Sequence, residues 1–329
     1  MAELTETGQR TLRSSGGGPS SDGPPLAQGL FSWYRRNNRL GDLSAAAVLV
    51  GPALLILGVF TVWPIVYSGY LALVEWDGLS ADRPFVWFDN FARLWDSGEL
   101  PTSIKVTLLY TVAVAVGSVA IGLAVALMID RVTRGRTWYR AVYFLPAVTA
   151  TVAVSVVWRL LLDPGSGYVN VALREVGIHG PNWLRSTTWA LPAVIGVGIW
   201  KHLGFNVVVF LAGLQAIPKD VFEASAVDGA GEWKTIRSIL LPLLAPITLL
   251  LLIMGVINGF LVFDQVFILT EGGPLGTTDV LGLLLYRHAF RFFDLGGAAA
   301  VGWVMFGLVA SITLVQWRVY GAGARGVGS

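Results

Sequence analysis

Residues Ala216–Pro242 read AIPKDVFEASAVDGAGEWKTIRSILLP. They lie between two long apolar runs, yet they do not read as a loose loop. Pro218 suits the first turn of a helix, where its missing N–H would be an orphan anyway. Asp220 and Glu223 follow in the first turns, where a helix favours negative charge. Gly229 can take a positive φ and so end that helix. A second helix is expected from Glu232, with Trp233, Ile236 and Leu240 at helical spacing on one face. The stretch is thus a short helix, a glycine turn and a second helix. The short helix offers Phe222 as an apolar anchor, Glu223 as a charge, and the small residues Ala224 and Ser225. Two readings of it stand: a helix built to dock in a partner's groove, or an amphipathic helix lying on a bilayer.

Outward from this stretch the chain is apolar. Of 329 residues, 54% are hydrophobic and 13% charged, with a mean hydropathy of +0.65. Soluble domains carry about 25% charged residues, so most of this surface does not face water. A membrane-spanning helix needs roughly 20 mainly apolar residues. Six stretches qualify: Ala45–Leu73, Ser103–Ile129, Ala141–Leu162, Trp189–Leu214, Ala245–Phe263 and Leu295–Trp317. They are continuous rather than alternating, which favours helices over barrel strands. The first is too long, and starts too late, for a cleaved signal peptide.

Basic residues give the orientation. Fourteen lie in the N-terminal segment, the second-to-third and fourth-to-fifth connections and the tail, against six in the opposite loops, so both termini are expected in the cytoplasm. Residues 1–40 include a Gly/Ser/Pro-rich stretch that cannot bury a core, and they are expected to form a disordered cytoplasmic tail. A membrane domain is expected over 41–320, with the 216–242 insertion, and a short cytoplasmic tail over 321–329. Trp76, Trp138, Trp158, Trp183, Trp189 and Trp317 fall near span ends and read as an aromatic belt. Cysteine is absent and the three histidines are scattered, so neither a thiolate nucleophile nor a local metal site is expected. A net charge of +2 gives no reason to invoke nucleic acid.

Glu223-Ala224-Ser225, then Gly229, then Ile239-Leu240-Leu241-Pro242 resembles the EAA signature of binding-protein-dependent ABC transporter permeases. That signature runs EAA, three residues, G, nine residues, I-x-L-P. The spacing agrees throughout, and Ser225 stands where the signature has its second alanine. Leu211–Pro218 (LAGLQAIP), Trp158 through Asn170, Phe263-Asp264, the LTEGGP element at 269–274 with Thr277-Thr278, and Gly296–Ala300 are similar to the maltose and glycerol-3-phosphate branch. The resemblance covers about residues 40–320. It implies an all-α type I ABC importer permease fold with six membrane helices, in the bacterial cytoplasmic membrane. It also implies a non-enzymatic subunit that binds no cofactor. Its partners would be a second homologous permease, an ATP-binding subunit dimer using ATP and Mg, and an extracytoplasmic solute-binding protein. The chain has no G-x-x-x-x-G-K-[ST] phosphate loop of its own. On the resemblance, Phe222, Glu223, Ala224, Ser225, Asp228 and Gly229 form the ATPase-coupling element.

A hydrophilic cargo needs polar groups at membrane depth, and such groups are functional candidates by default. The fourth span supplies Trp200, Lys201, His202, Phe205 and Asn206; the fifth supplies Asn258, Phe263, Asp264 and Gln265. Each has a competing structural reading: Lys201 pairs with a partner's acid or snorkels, and His202 and Asn206 bond neighbouring helices. Arg159 is expected to snorkel or to pair with Asp163. A sugar is the expected cargo, with glycerol-3-phosphate or another polar solute as the alternative. An ion-coupled secondary transporter would carry carboxylates within its spans and an internal repeat; no Asp or Glu lies securely inside a span, Asp264 being at a border. A membrane scaffold leaves the helix–turn–helix unexplained, and a membrane enzyme lacks a nucleophile–base pair.

Overall fold

The computed structural model describes residues 48–131 and 136–325. The expected tail at 1–40 and the last four residues lie outside them. The chain divides into two units, Met1–Val66 and Tyr67–Ser329. Of the first, residues 48–66 are described and are helical. They belong to helix α1 (Val48–Leu71), which contains a π-type turn at Gly58–Val62.

The second unit is helical as well; among the described residues its only extended pairing is an isolated bridge between Val74 and Phe85. Its helices are α2 (Asp89–Asp96), α3 (Glu99–Asp130), α4 (Arg136–Val148), α5 (Thr151–Leu161), α6 (Tyr168–Glu175) and α7 (Ala190–Ala216). There follow α8 (Lys219–Val227), α9 (Glu232–Leu243, with a π-type turn at Ile236–Leu240), α10 (Ala245–Phe260), α11 (Asp264–Leu269), α12 (Leu281–Tyr286) and α13 (Leu295–Arg325). Four helices, α1, α3, α7 and α13, are long and apolar enough to cross a membrane; α4–α5 and α9–α10 make six if each bent pair is one span.

The third apolar run therefore departs from the straight span expected over Ala141–Leu162. Residues Ala141–Val148 and Thr151–Leu161 meet at 104°. Pro146 lacks the N–H that would continue the ladder, the Thr149 hydroxyl donates to the Leu145 carbonyl at 2.8 Å, and Ala150 is extended at φ −59°, ψ 129°. The fifth span is likewise shorter than Ala245–Phe263, ending at Phe260, and α9 joins it at 65°. The π-type turn in α9 widens the helix by one residue. Trp233 is accordingly exposed while Leu240 is buried, so the two do not share the face expected of them.

Helix α3 stands at the centre, packed against α2, α7, α10 and α12. Apolar attraction between helices is weak in lipid, so close approach of small residues and interhelical hydrogen bonds carry the packing. At Gly122 of α3 a Cβ would sit 2.8 Å from the Asn206 Cβ of α7. Beside it the Asn206 amide donates to the Ser118 hydroxyl at 3.0 Å, with both side chains buried. Tyr110, also buried, sits over Gly198 of α7. Of the expected tryptophan belt, Trp138 and Trp317 are well exposed, but Trp183 donates to Asn170 at 2.7 Å and Trp158 packs edge-on against Trp200.

Outside the apolar spans, His288 ties three elements together. Its Nδ1 lies 3.0 Å from Asp294 and its Nε2 3.1 Å from Glu99, the first residue of α3. Asp294 caps α13 by accepting from the Gly297 N–H at 2.9 Å, and it also takes Arg93 of α2 at 2.8 Å. The hydrogen bond it donates to Asp294 raises the His288 imidazole above its ordinary 6.5, burial opposes this, and Glu99 adds to the rise. Burial alone would raise Asp294, but the bonds from His288 and Gly297 and the charge of Arg93 outweigh it and hold the carboxyl low. A raised histidine stabilises the fold fully below its unfolded value and loses that contribution as pH climbs through the folded one. Thermal unfolding of the purified protein should therefore move to lower temperature as pH rises above 6.5. In His288→Gln that alkaline decline should be shallower; an identical decline in both proteins would remove His288 as its cause.

Candidate functional site

Two features stand out: an exposed helix–turn–helix and a polar cavity within the bundle. In the first, α8 opens one residue after Pro218, whose carbonyl accepts from the Val221 N–H at 3.2 Å. It closes at Gly229, where φ is +65°. The Ala230 N–H reaches back to the Ser225 carbonyl at 3.0 Å, a Schellman closure that requires the left-handed residue at Gly229. Ser225 is buried, and its hydroxyl meets that of Thr235 at 2.8 Å, tying α8 to α9. An alanine there would make no such bond, so the departure from the signature has a structural consequence that the sequence reading did not assign. Phe222, Glu223, Ala224, Asp228 and Gly229 are exposed, as is Val227 at 87%. Arg131 at the end of α3 pairs with Glu232 at 2.7 Å, but both side chains are solvated, so the pair adds little stability.

The second feature is a cavity of about 400 Å³ lined by Tyr110, Thr151, Lys201, His202, Asn258, Leu261, Val262, Phe263, Asp264 and Gln265. That size suits a small polar ligand. It brings together six of the nine residues singled out from the fourth and fifth runs: Lys201, His202, Asn258, Phe263, Asp264 and Gln265. Trp200 instead lines an apolar recess with Trp158 and Pro146. Phe205 is exposed and outside the cavity lining, and Asn206 is buried on Ser118. Tyr110 and Thr151 were not foreseen, because an isolated hydroxyl in an apolar run carries no signal of what it will face.

Within the lining, Gln265 is fully engaged: its amide nitrogen donates to the Val194 carbonyl at 2.7 Å and its oxygen lies 3.4 Å from the Tyr110 hydroxyl. His202 Nδ1 meets the Gly198 carbonyl at 2.9 Å. A carbonyl only accepts, so Nδ1 carries the proton and Nε2 is left as an acceptor. Lys201 donates to the Pro146 carbonyl at 2.8 Å and also to that of Thr149. Asn258 and Asp264 are exposed to the cavity. No arginine lines it among the described residues. Aromatic faces come from Phe263, which stacks on Phe267 and packs on Tyr286. Of the two expectations for Arg159, the pairing with Asp163 is not the one found: Arg159 donates to the Ile268 carbonyl at 3.3 Å, while Asp163 accepts from the N–H groups of Gly165 and Ser166.

An all-helical membrane bundle with an exposed coupling-type insertion and a polar internal cavity is the build of a transport permease. Residues 84–320 match the family described as binding-protein-dependent transport system inner membrane component, and the chain belongs to that family. It is a multi-pass protein of the cytoplasmic membrane and a permease subunit of an ABC importer. It is 32% identical over 261 residues to the multiple sugar-binding transport system permease protein MsmF of Streptococcus mutans, covering 79% of this chain and 90% of that one. It is 32% identical over 272 residues to the sn-glycerol-3-phosphate transport system permease protein UgpA of Rhizobium meliloti, covering 82% and 92%. Its fold is similar to a chain of a bacterial ABC transporter involved in the import of the acidic polysaccharide alginate, with a TM-score of 0.75, 25% identity, and 90% and 99% of the two chains covered. A chain of a bacterial alginate ABC transporter in complex with alginate pentasaccharide-bound periplasmic protein gives a TM-score of 0.74 at 25% identity, covering 85% and 94%.

The two asparagines differ in setting: Asn206 is bonded within the bundle and Asn258 faces the cavity. Asn206→Leu should lower the stability of the bundle by about 1 kcal/mol, the worth of an interhelical bond in a membrane, with uptake affinity unchanged. Asn258→Leu should do the reverse. Thermal unfolding and initial-rate uptake measured on both variants check this, and an affinity loss confined to Asn206→Leu would contradict it.

Proposed function

We propose that this chain forms half of the transmembrane pathway of an ATP-driven importer for a neutral carbohydrate. A second homologous permease supplies the other half. An ATP-binding subunit dimer, a separate chain using ATP and Mg, docks beneath, and an extracytoplasmic binding protein delivers cargo. The observation that carries this reading is α8. Its Phe222, Glu223 and Ala224 are presented to solvent beside a turn closed at Gly229, at the family's spacing. Apolar side chains held out on a short helix suit insertion into a groove of a partner protein.

The basic-residue asymmetry supports a cytoplasmic side for α8 and for both termini. The segment between α11 and α12 then faces outward, toward the binding protein. Its tip residue Leu275 is 93% exposed, while the Thr278 hydroxyl pins the loop at 2.8 Å from both Thr270 and the Gly273 carbonyl. Cargo contacts fall to His202, Asn258, Phe263 and Asp264: an acceptor, an amide, an aromatic face and a carboxylate, which together suit hydroxyl groups. A phosphate ester favours the planar fork of arginine; the cavity offers none, and its carboxylate opposes an anion. The lining therefore favours a neutral sugar over a phosphate ester.

The test is purification of the tagged chain with its partners and reconstitution with the binding protein. A second permease and an ATPase should co-purify. Uptake of a neutral oligosaccharide should drive ATP hydrolysis, with glycerol-3-phosphate at least about tenfold weaker as a competitor. Gly229→Val forces a β-branched residue to a positive φ, a cost of about 1–3 kcal/mol, and should lower both ATPase recovery and uptake. Ion-gradient-driven uptake by the chain alone would overturn the proposal.

A further inference from the structure

The break in the third span exposes backbone groups at membrane depth, where each needs a partner within the protein. Helix α4 ends at Val148, so the carbonyls of its last turn have no donors within the helix. The Thr149 hydroxyl takes the Leu145 carbonyl. The Lys201 ammonium, from the middle of α7, takes the carbonyls of Pro146 and Thr149. One cation thus closes the break, and it does so at the negative end of a helix, where a cation is favoured.

The surroundings make this joint a mechanical one. Gly204, one turn beyond Lys201, lies so close to α4 that an added Cβ would overlap the Tyr143 carbonyl oxygen. Helices α4 and α7 therefore meet backbone to backbone. Past the break, α5 leans mainly on α11, with Trp158 reaching back to Trp200 of α7. The two halves of the span rest on different parts of the bundle, with Lys201 at the junction. Thr151, the first residue of α5, lines the cavity beside Lys201 and His202.

We propose that Lys201 is a positioning residue: its ammonium holds the break at residues 149–150 against α7 and so fixes the cavity wall at Thr151, and it is not a cargo ligand. The part of this that concerns uptake rests on the importer reading; the part that concerns the wall does not. Lysine has three donors, and two are committed to carbonyls that have no other partner at hand. Removing the ammonium strands both carbonyls, and the break then opens to whatever water the cavity holds.

The chain contains no cysteine, so a Thr151→Cys reporter gives a thiol signal with no background from this subunit. The full chain in lipid nanodiscs, with its partners where they co-purify, is labelled with a small polar maleimide. Lys201→Met should raise the labelling rate about tenfold, with or without a neutral oligosaccharide present. Lys201→Arg keeps the donors and should stay near the parent rate; Lys201→Gln should fall between and decides the matter if the Met variant does not assemble. In uptake, Lys201→Gln should lower the maximal rate while the half-saturating concentration stays within about twofold. Unchanged labelling in both Met and Gln variants overturns the proposal, as does a raised half-saturating concentration with unchanged labelling, which would make Lys201 a cargo ligand. Labelling requires no transport, so failure of the importer reading would leave the order of labelling rates intact.

Discussion

In a bilayer every backbone N–H and C=O must find its partner inside the protein, and the fold is organised around the places where a helix cannot supply one. At the break between α4 and α5 the donors are Thr149 and Lys201. At the start of α12, the Leu281 N–H is met by the Thr107 hydroxyl of α3 at 2.8 Å. Each of these side chains would be expensive to bury alone. Each is tolerated because it satisfies a backbone group that would be just as expensive.

Helix α3 is the post to which these arrangements are referred. Its small and hydroxylated residues, Ser118 and Gly122 toward α7 and Thr111 toward Gly259 of α10, let neighbouring backbones approach and lock by hydrogen bonds or direct contact. The cavity lies where α10 gives way to α11 beside the middle of α7. Its walls are thus the ends and interruptions of helices. Those are the regions where backbone and side-chain polarity can be offered to a solute without leaving a helix unsatisfied.

Much of this was legible in the sequence. Six apolar runs are apparent from length and charge alone, since no water-soluble alternative accounts for them. The turn at Gly229 was legible because positive φ has a strong residue preference. The break in the third run was not: Pro146 is compatible with a continuous membrane helix, and the residue that makes the break affordable, Lys201, lies 52 positions from Thr149. A separation of 88 positions likewise hid which residue Asn206 would bond, Ser118, although a bond to a neighbouring helix was one of the two readings open for it. Residue type announced that these groups matter at membrane depth. Only the three-dimensional pairing separates one that bonds the bundle from one that faces the cavity.

The positions of the joints also constrain how the two functional features can communicate. Helix α8 is tied to α9 by the Ser225–Thr235 bond and the Gly229 closure, both short-range and buried or backbone in character. Helix α9 is in turn linked to α3 through Arg131 and Glu232, a pair that is solvated and weak. A displacement imposed on α8 is therefore passed first to α9, and then through the 65° bend at Leu244 into α10. Leu244 itself is buried, so that bend is seated in the core and does not swing freely. Helix α10 carries Asn258 at its far end, on the cavity. The stiff route from the exposed helix to the cavity thus runs along α9 and α10 and arrives opposite the wall that Lys201 holds.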